Sequence, residues 1–140
     1  EIAQCLVGSE MCIRDSPITE EQFNIVSNLM AFTAIDDNDT VGFFTMRRPN
    51  ESFDELRFGF VIIDPDRRGQ GYGKKMLQLG LVYAKDIFGA KKVSLGVFEN
   101  NELAYYCYKA AGFQDVLLDE VEKYTVLGEE WRCLELEIQL

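Results

Sequence analysis

The feature that most constrains this chain is a strand that leads through a glycine-rich turn directly into a helix. Residues Glu55 to Ile63 alternate two sets of side chains and then become apolar on both faces, which is typical of a central strand. Asp64-Pro65-Asp66 ends that strand, and Arg68-Gly69-Gln70-Gly71-Tyr72-Gly73 precedes a helix predicted over about Gly71 to Phe88. Because a helix N-terminus exposes unpaired N–H groups and a partial positive charge, this stretch indicates an anion-binding turn.

Positive charge gathers around the turn although the chain as a whole is acidic. The 140 residues include 14 Lys and Arg against 24 Asp and Glu, a formal net charge of −10. This charge argues against nucleic acid or a membrane surface as a partner. Arg67, Arg68, Lys74 and Lys75 nevertheless flank the glycines, which favours one specific anionic ligand. Taken alone, the glycines would also suit a plain strand-to-helix turn.

Spacing and composition exclude several common sites. A P-loop needs glycine where Arg68 stands and a hydroxyl residue where Lys75 stands. The dinucleotide-binding pattern fails because Gly69, Gly71 and Gly73 alternate strictly. The sequence contains no histidine, which excludes Ser-His-Asp and Cys-His catalysis and most zinc sites. We therefore expect no metal.

The cysteines and the hydropathy pattern predict a soluble, cytoplasmic protein. Cys5, Cys12, Cys107 and Cys133 lack the Cys-x-x-Cys spacing, so each is interpreted as a small buried hydrophobe in a reducing compartment. No stretch has the ~20 apolar residues that a membrane span needs. The N-terminus lacks the basic lead-in of a secretory signal.

The remaining pattern predicts one mixed α/β domain without a linker. Gly89 and Gly112 stand where left-handed C-terminal caps belong, and Trp131 fits either a core position or a contact in a homodimer. The predicted helices are Glu20–Met30, Gly71–Phe88 and Asn101–Ala111, and the predicted strands are Phe32–Ile35, Val41–Met46, Glu55–Ile63, Lys92–Phe98, Phe113–Leu118 and Trp131–Ile138.

Two segments resemble the GNAT superfamily of N-acetyltransferases. Arg68 to Gly73 resembles its Arg/Gln-x-x-Gly-x-Gly/Ala signature, and Asn101 to Phe113 resembles its Asn-x-x-Ala…Tyr-x-x-x-Gly-Phe segment. The resemblance covers about Val41 to Leu118. It implies a single-domain mixed α+β fold, with a central, largely antiparallel sheet flanked by helices and two splayed parallel strands. We predict that residues 17–140 form this domain, and we interpret the non-matching residues 1–16 as a truncated or spuriously translated start.

The resemblance implies that acetyl-CoA lies between the strands Glu55–Ile63 and Lys92–Phe98. Asn101 matches a position whose side chain touches the cofactor, and Tyr108 matches the tyrosine that protonates the departing thiolate. The backbone groups expected to pair with the pantetheine arm belong to Val61, Ile62 and Ile63. The amides expected to hold the pyrophosphate belong to Arg68, Gly69, Gln70, Gly71, Tyr72, Gly73 and Lys74.

The chemistry of amine acetylation is consistent with Tyr108 as the acid. A phenol with a pKa of ~10 can protonate a thiolate whose thiol pKa is ~8.5 with modest tuning. The alternative is a core aromatic, since Ala104, Cys107, Tyr108 and Ala111 form an apolar helical stripe.

The resemblance does not identify a general base. Relatives place a glutamate at positions that here hold Arg57 or Gly96. Glu55 shares a strand face with Arg57 and is the first candidate, ahead of Glu99 and Asp54. A water chain that ends in solvent is an equal alternative.

These observations predict an acetyl-CoA-dependent N-acetyltransferase whose acceptor is a small-molecule or peptide amine. The negative net charge favours cationic acceptors. The alternative is a non-catalytic acyl-CoA-binding or regulatory module of the same fold, which the missing glutamates at Arg57 and Gly96 favour. A purely structural α/β domain is a third alternative.

Overall fold

Residues 28–140, the part of the chain that the computed structural model describes, form one mixed sheet with two helices. The sheet order is β1-β2-β3-β4-β7-β5, and β6 also pairs with β7. Every pair is antiparallel except β3 with β4, which confirms the predicted largely antiparallel sheet with one parallel pair. The elements are β1 (Met30–Asp36), β2 (Asp39–Arg47), β3 (Glu55–Ile63), α1 (Tyr72–Asp86), β4 (Lys92–Phe98), α2 (Glu102–Ala110), β5 (Gln114–Asp115), β6 (Glu122–Val126) and β7 (Glu129–Gln139).

The two parallel strands separate part of the way along their length. They pair at only three positions, and the last of these joins Arg57 to Ser94. Beyond that point β3 contains a bulge, because Phe60 adopts φ of +48° and the register with β2 shifts between Phe43 and Thr45. A bulge bends its strand and increases the local twist, so it explains why β3 turns away from β4. We call the point of separation, at Arg57 and Ser94, the vertex.

The core lies between the sheet and the two helices. Phe44 and Phe58 on the sheet pack against each other with ring centroids 5.3 Å apart, and α1 crosses them at Gly80. A Cβ at Gly80 would lie 3.0 Å from the Phe44 ring and 3.1 Å from the Phe58 ring, so glycine permits this close approach. Leu56, with no exposed surface, belongs to the same cluster. The resulting core fixes the start of α1 next to the end of β3.

The opposite face of the sheet is more polar. Arg57, Ser94 and Glu135 lie there, because they alternate with core residues on β3, β4 and β7. A small aromatic cluster continues this face, in which Trp131 packs edge-on against Phe98 with ring centroids 5.2 Å apart, as the core alternative for Trp131 requires. Neither helix in the described range is long and apolar enough to cross a membrane.

The sequence predictions differ from the structure at both ends of the chain. Met30 belongs to β1 rather than to a helix, and the rest of the predicted helix over Glu20–Met30, like the interpreted segment 1–16, lies almost wholly outside the described residues. The predicted strand Phe113–Leu118 is reduced to two residues. Strand β6 was not predicted, because its polar residues obscure the alternation. It lies between the predicted strands Phe113–Leu118 and Trp131–Ile138 and forms a hairpin with β7.

Candidate functional site

A cavity of about 400 Å³ opens where β3 ends and α1 begins. The start of α2 closes its other side. Because the bulged β3 has left β4 at this level, the cavity continues the gap between the two strands. Its lining residues are Ile63, Arg67, Arg68, Gly69, Gly71, Tyr72, Gly73, Lys74, Asn101, Leu103, Tyr106 and Cys107.

The glycine turn presents bare backbone to this cavity. Gly69 and Gly71 adopt φ of +74° and +84°, and a Cβ on either would meet nothing within 4 Å. Gly71 is the N-cap of α1 and provides no side-chain hydrogen bond to the helix. The N–H groups of the first turn of α1 are therefore available as donors to an anion.

Side chains around the turn hold it to the β1–β2 hairpin. The hydroxyl of Tyr72 donates to the Asp36 carboxylate at 2.6 Å, which raises the pKa of Tyr72. The Arg67 guanidinium donates to the Asp39 carboxylate at 2.8 Å, which raises the pKa of Arg67. These two contacts hold the turn against the hairpin, and both Tyr72 and Arg67 also line the cavity.

Arg68 and Lys74 are two further cations of the turn. Arg68 Nε donates to the carbonyl of Ile63 at 3.2 Å, which caps the end of β3, and burial lowers the pKa of Arg68. Lys74 lies in the cavity wall. The turn therefore keeps positive charge beside the exposed amides.

Helix α2 supplies the other wall. Asn101 is its N-cap, and Asn101 Oδ1 accepts from the backbone N–H of Ala104 at 3.4 Å. Cys107 lies so close to α1 that a Cβ on Gly73 would be 3.0 Å from its Sγ, and burial raises the pKa of the Cys107 thiol. Leu103 and Tyr106 form an exposed apolar rim. Leu103, Tyr106 and Cys107 were not predicted, although their spacing of three and four residues places them on one helix face.

Most of the residues predicted to bind the donor are brought together here, but not all. Ile63, Asn101 and the turn residues Arg68 to Lys74 line the cavity, with the exception of Gln70. The side-chain amide of Gln70 donates to the carbonyl of Asp66 at 3.5 Å. Val61 is buried in the main core, and Ile62 lies on the opposite strand face.

The two residues predicted to be catalytic lie outside the cavity wall. Tyr108 is only 1% exposed and packs edge-on against Phe113, with ring centroids 6.4 Å apart. Glu55 starts β3, accepts a hydrogen bond from Ser94 at 2.9 Å and forms an ion pair with Lys92 at 3.2 Å. At ~3.3 Å per residue, Glu55 is about 26 Å from Ile63 along the strand.

A carboxylate other than Glu55 lies at the vertex, and it belongs to β7. Arg57 donates to both carboxylate oxygens of Glu135, each at 2.7 Å, and its Nη1 lies 3.4 Å from Ser94 Oγ. We call Glu55, Arg57, Lys92, Ser94 and Glu135 the vertex cluster. Sequence analysis missed Glu135 because its partner Arg57 is 78 residues away along the chain.

The comparison with protein families identifies the class of protein that this fold and cavity define. Residues 7–113 match the family described as the acetyltransferase (GNAT) family, so the chain belongs to that family.

No group of His, Cys, Asp or Glu that could hold a metal ion occurs in residues 28–140. Residues 28–140 likewise contain no disulfide.

Individual relatives and solved structures agree with this class. The chain is 35% identical over 98 residues to mycothiol acetyltransferase of Rhodococcus jostii, covering 68% of this chain and 32% of that protein. It is 38% identical over 52 residues to spermine/spermidine N(1)-acetyltransferase of Bacillus subtilis, covering 37% of this chain and 34% of that protein. The chain thus spans about a third of the length of these relatives.

The fold is also similar to that of solved acetyltransferases. The crystal structure of spermidine N-acetyltransferase from Vibrio cholerae in complex with CoA and spermine has a TM-score of 0.70 at 20% identity, covering 85% of this chain and 69% of that chain. IAA acetyltransferase from Bacillus cereus has a TM-score of 0.71 at 18% identity, covering 87% of this chain and 85% of that chain.

Proposed function

We propose that this chain is an acetyl-CoA-dependent N-acetyltransferase that moves an acetyl group to an amine. The observation that carries the proposal is that an uncapped helix N-terminus, two bare glycines and the end of β3 meet in one cavity. Family membership supports the same activity.

The residues present fit an acyl-CoA donor. The open space beside Gly69 and Gly71 admits a diphosphate, whose charge suits the amides of the turn and Lys74. Within the described residues, β3 has no strand partner on its β4 side beyond Arg57. A pantetheine arm can therefore pair with the backbone of Val61, Ile62 and Ile63 as an added strand would.

The length of this edge suggests where the thioester lies. From Ile63 back to Arg57 the strand covers about 20 Å at ~3.3 Å per residue. An arm that starts at the glycine turn and follows β3 ends where the parallel pairing resumes. We therefore propose that the acyl group lies at the vertex.

The reaction requires a neutral amine, a polarised carbonyl and a proton for the leaving group. The amine nitrogen forms a bond to the carbonyl carbon, the carbon–sulfur bond breaks, and the thiolate takes a proton from the hydroxyl of Tyr108. Backbone N–H groups of β3 polarise the carbonyl oxygen. The amine proton leaves to water in this proposal, and a proton from water restores the Tyr108 hydroxyl. Glu55 is not the base, because it is held by Ser94 and Lys92.

For the acceptor we propose a small cationic amine of the polyamine type. The Bacillus subtilis relative is named for spermine and spermidine, and the net charge of −10 attracts cations at long range. A cytoplasmic location belongs to the same proposal, since reduced cysteines are typical of that compartment.

The test is thiol release from acetyl-CoA in the presence of a panel of amines that includes spermidine. Tyr108→Phe is compared with Tyr83→Phe, which changes a partly exposed tyrosine on α1. We expect Tyr108→Phe to lower kcat by roughly 10²-fold or more while CoA affinity stays unchanged. Tyr83→Phe should behave like the wild type. An unchanged kcat in Tyr108→Phe would remove Tyr108 from the mechanism.

A second candidate function is an acyl-CoA-binding or regulatory module without turnover. It is favoured by the arginine at position 57 and the glycine at position 96, the two positions where relatives carry a glutamate. The same assay separates the two functions. CoA binding in calorimetry, with no thiol release for any amine, would establish the binding module.

A further inference from the structure

Within the vertex cluster, the Glu135 carboxylate is bound to Arg57 at the point where β3 and β4 separate. Arg57 and Glu135 are joined by two short hydrogen bonds, and their side chains are only 11% and 19% exposed. Two parallel hydrogen bonds from a guanidinium fix both the position and the plane of a carboxylate. Glu135 is therefore held in one orientation beside the last paired residues of β3 and β4.

The same carboxylate occupies the space of a missing side chain on β4. Gly96 pairs with Glu135 in the antiparallel register of β4 and β7. A Cβ on Gly96 would lie 3.0 Å from Arg57 Nη2 and 3.2 Å from Glu135 Oε1. The glycine thus makes room for the ion pair, and β7 supplies the acidic group that β4 lacks.

Glu135 also lines a second cavity, of about 280 Å³. It lies along the edge of β7 between its pairings with β5 and β6. Glu135 belongs both to its wall and to the ion pair at the vertex. The rest of its wall is mostly apolar and consists of Asp115, Val116, Leu117, Leu118, Val121, Cys133 and Leu134.

We propose that Glu135 binds the acceptor amine, whose aliphatic part lies in the second cavity. This inference rests on the proposed function, which places the acyl group at the vertex. Each carboxylate oxygen has a further lone pair beyond the one that Arg57 uses, so an ammonium or amine N–H can still be accepted. Arg57 is a positioning residue, since it acts by holding Glu135.

The composition of the second cavity defines the class of acceptor. Val116, Leu118 and Val121 suit methylene groups, and they offer nothing to a sugar or another strongly polar body. Asp115 is engaged by Lys109 at 2.7 Å and by Tyr105 at 2.9 Å. The predicted acceptor is therefore a primary amine on a short aliphatic chain, bound by one carboxylate.

The test compares Glu135→Gln with Glu137→Gln. Glu137 lies two residues further along the same face of β7 and is more exposed, at 35%. The probes are butylamine and 1,4-diaminobutane as acceptors, with CoA affinity measured by calorimetry without amine. We expect Glu135→Gln to raise KM for both amines roughly tenfold to a hundredfold, as for a lost hydrogen bond to a charged group. CoA affinity should be unchanged, and Glu137→Gln should match the wild type in both.

A paired substitution guards against a folding defect in the single variant. Replacing Arg57 with Met and Glu135 with Leu together removes both charges, a change that is often tolerated where one substitution alone is not. It should show the same rise in KM with CoA affinity retained. Amine KM within twofold of wild type in both variants would overturn the role of Glu135 while leaving the acetyltransferase proposal intact. Absence of CoA binding and turnover in the wild type would overturn both.

Discussion

The two ends of β3 carry two sites of different construction. At the Ile63 end lies the cavity that we propose binds acetyl-CoA, called the donor cavity below; it consists mainly of main-chain groups in a turn of consecutive residues. At the Arg57 end, the vertex cluster consists of side chains from three strands, joined by ion pairs and hydrogen bonds. The first kind of site depends on backbone conformation, and the second depends on tertiary packing. Substitutions should therefore have different effects at the two ends.

The largest effect on stability is expected at the vertex. Arg57→Ala leaves the Glu135 carboxylate mostly buried without its guanidinium, and we expect a loss of about 2–3 kcal/mol in the free energy of unfolding. Arg132→Ala is the matched control, because the Arg132–Glu99 pair is about half exposed and should contribute under ~1 kcal/mol. Urea denaturation measures both. Equal losses in the two variants would mean that the vertex pair has no special weight.

At the glycine turn we expect the larger effect on binding rather than on stability. Gly71→Ala and Gly89→Ala both place a Cβ at positive φ in open space, so each should cost a similar ~1 kcal/mol of stability. Only Gly71 borders the donor cavity. Calorimetry should show CoA affinity reduced about tenfold in Gly71→Ala and unchanged in Gly89→Ala. Equal affinities would show that the backbone of the turn does not contact the donor.

Two substitutions of Asn101 distinguish its role as the N-cap of α2 from a role in CoA binding. Asn101→Ser and Asn101→Asp both keep an oxygen that can cap α2, so both should unfold within about 0.5 kcal/mol of wild type. Asn101→Asp also adds a negative charge to the cavity wall, and we expect it to weaken CoA binding severalfold. Wild-type affinity in the Asp variant would place the donor phosphates away from the start of α2.

The smallest expected effect concerns Asp115, which links β5 to α2. The hydrogen bond from Lys109 lowers the pKa of Asp115, so its stabilising contribution is present above the unfolded-state pKa of ~3.9 and is lost as pH falls through the lower folded value. Because the pair lies at the surface, with the Asp115 and Lys109 side chains 42% and 35% exposed, Asp115→Asn should cost at most ~0.5 kcal/mol at pH 7. Unfolding measured at pH 7 and pH 3 should show the difference shrinking in acid. A constant difference would assign it to another contact.

The contrast between a turn of consecutive residues and a cluster formed by tertiary packing explains which features could be predicted from the sequence. The glycine turn, the start of α1 and the left-handed caps at Gly89 and Gly112 depend on neighbouring residues, so a local pattern was sufficient to predict them. The separation of β3 from β4 followed from resemblance to the GNAT superfamily, whereas its cause, the bulge at Phe60, left no sign in an apolar run.

The vertex could not be predicted because its parts are distant in the sequence. Arg57 and Glu135 meet only after β7 has paired with β4, and Gly96 has no side chain to draw attention to the position. Glu55 was selected for its strand face alone, and its contacts with Ser94 and Lys92 depend on the parallel register. Strand face is a local property, but the partner across a sheet is not.

We propose that the backbone N–H groups of the glycine turn bind the diphosphate of acetyl-CoA. Titration calorimetry with CoA and with pantetheine, which lacks the diphosphate and nucleotide, tests it most directly. We predict measurable heat with CoA and at least ~100-fold weaker binding of pantetheine, since several charge-assisted hydrogen bonds are lost. Equal affinity for the two ligands, or no binding of CoA by folded protein, would show that the glycine turn does not bind the diphosphate.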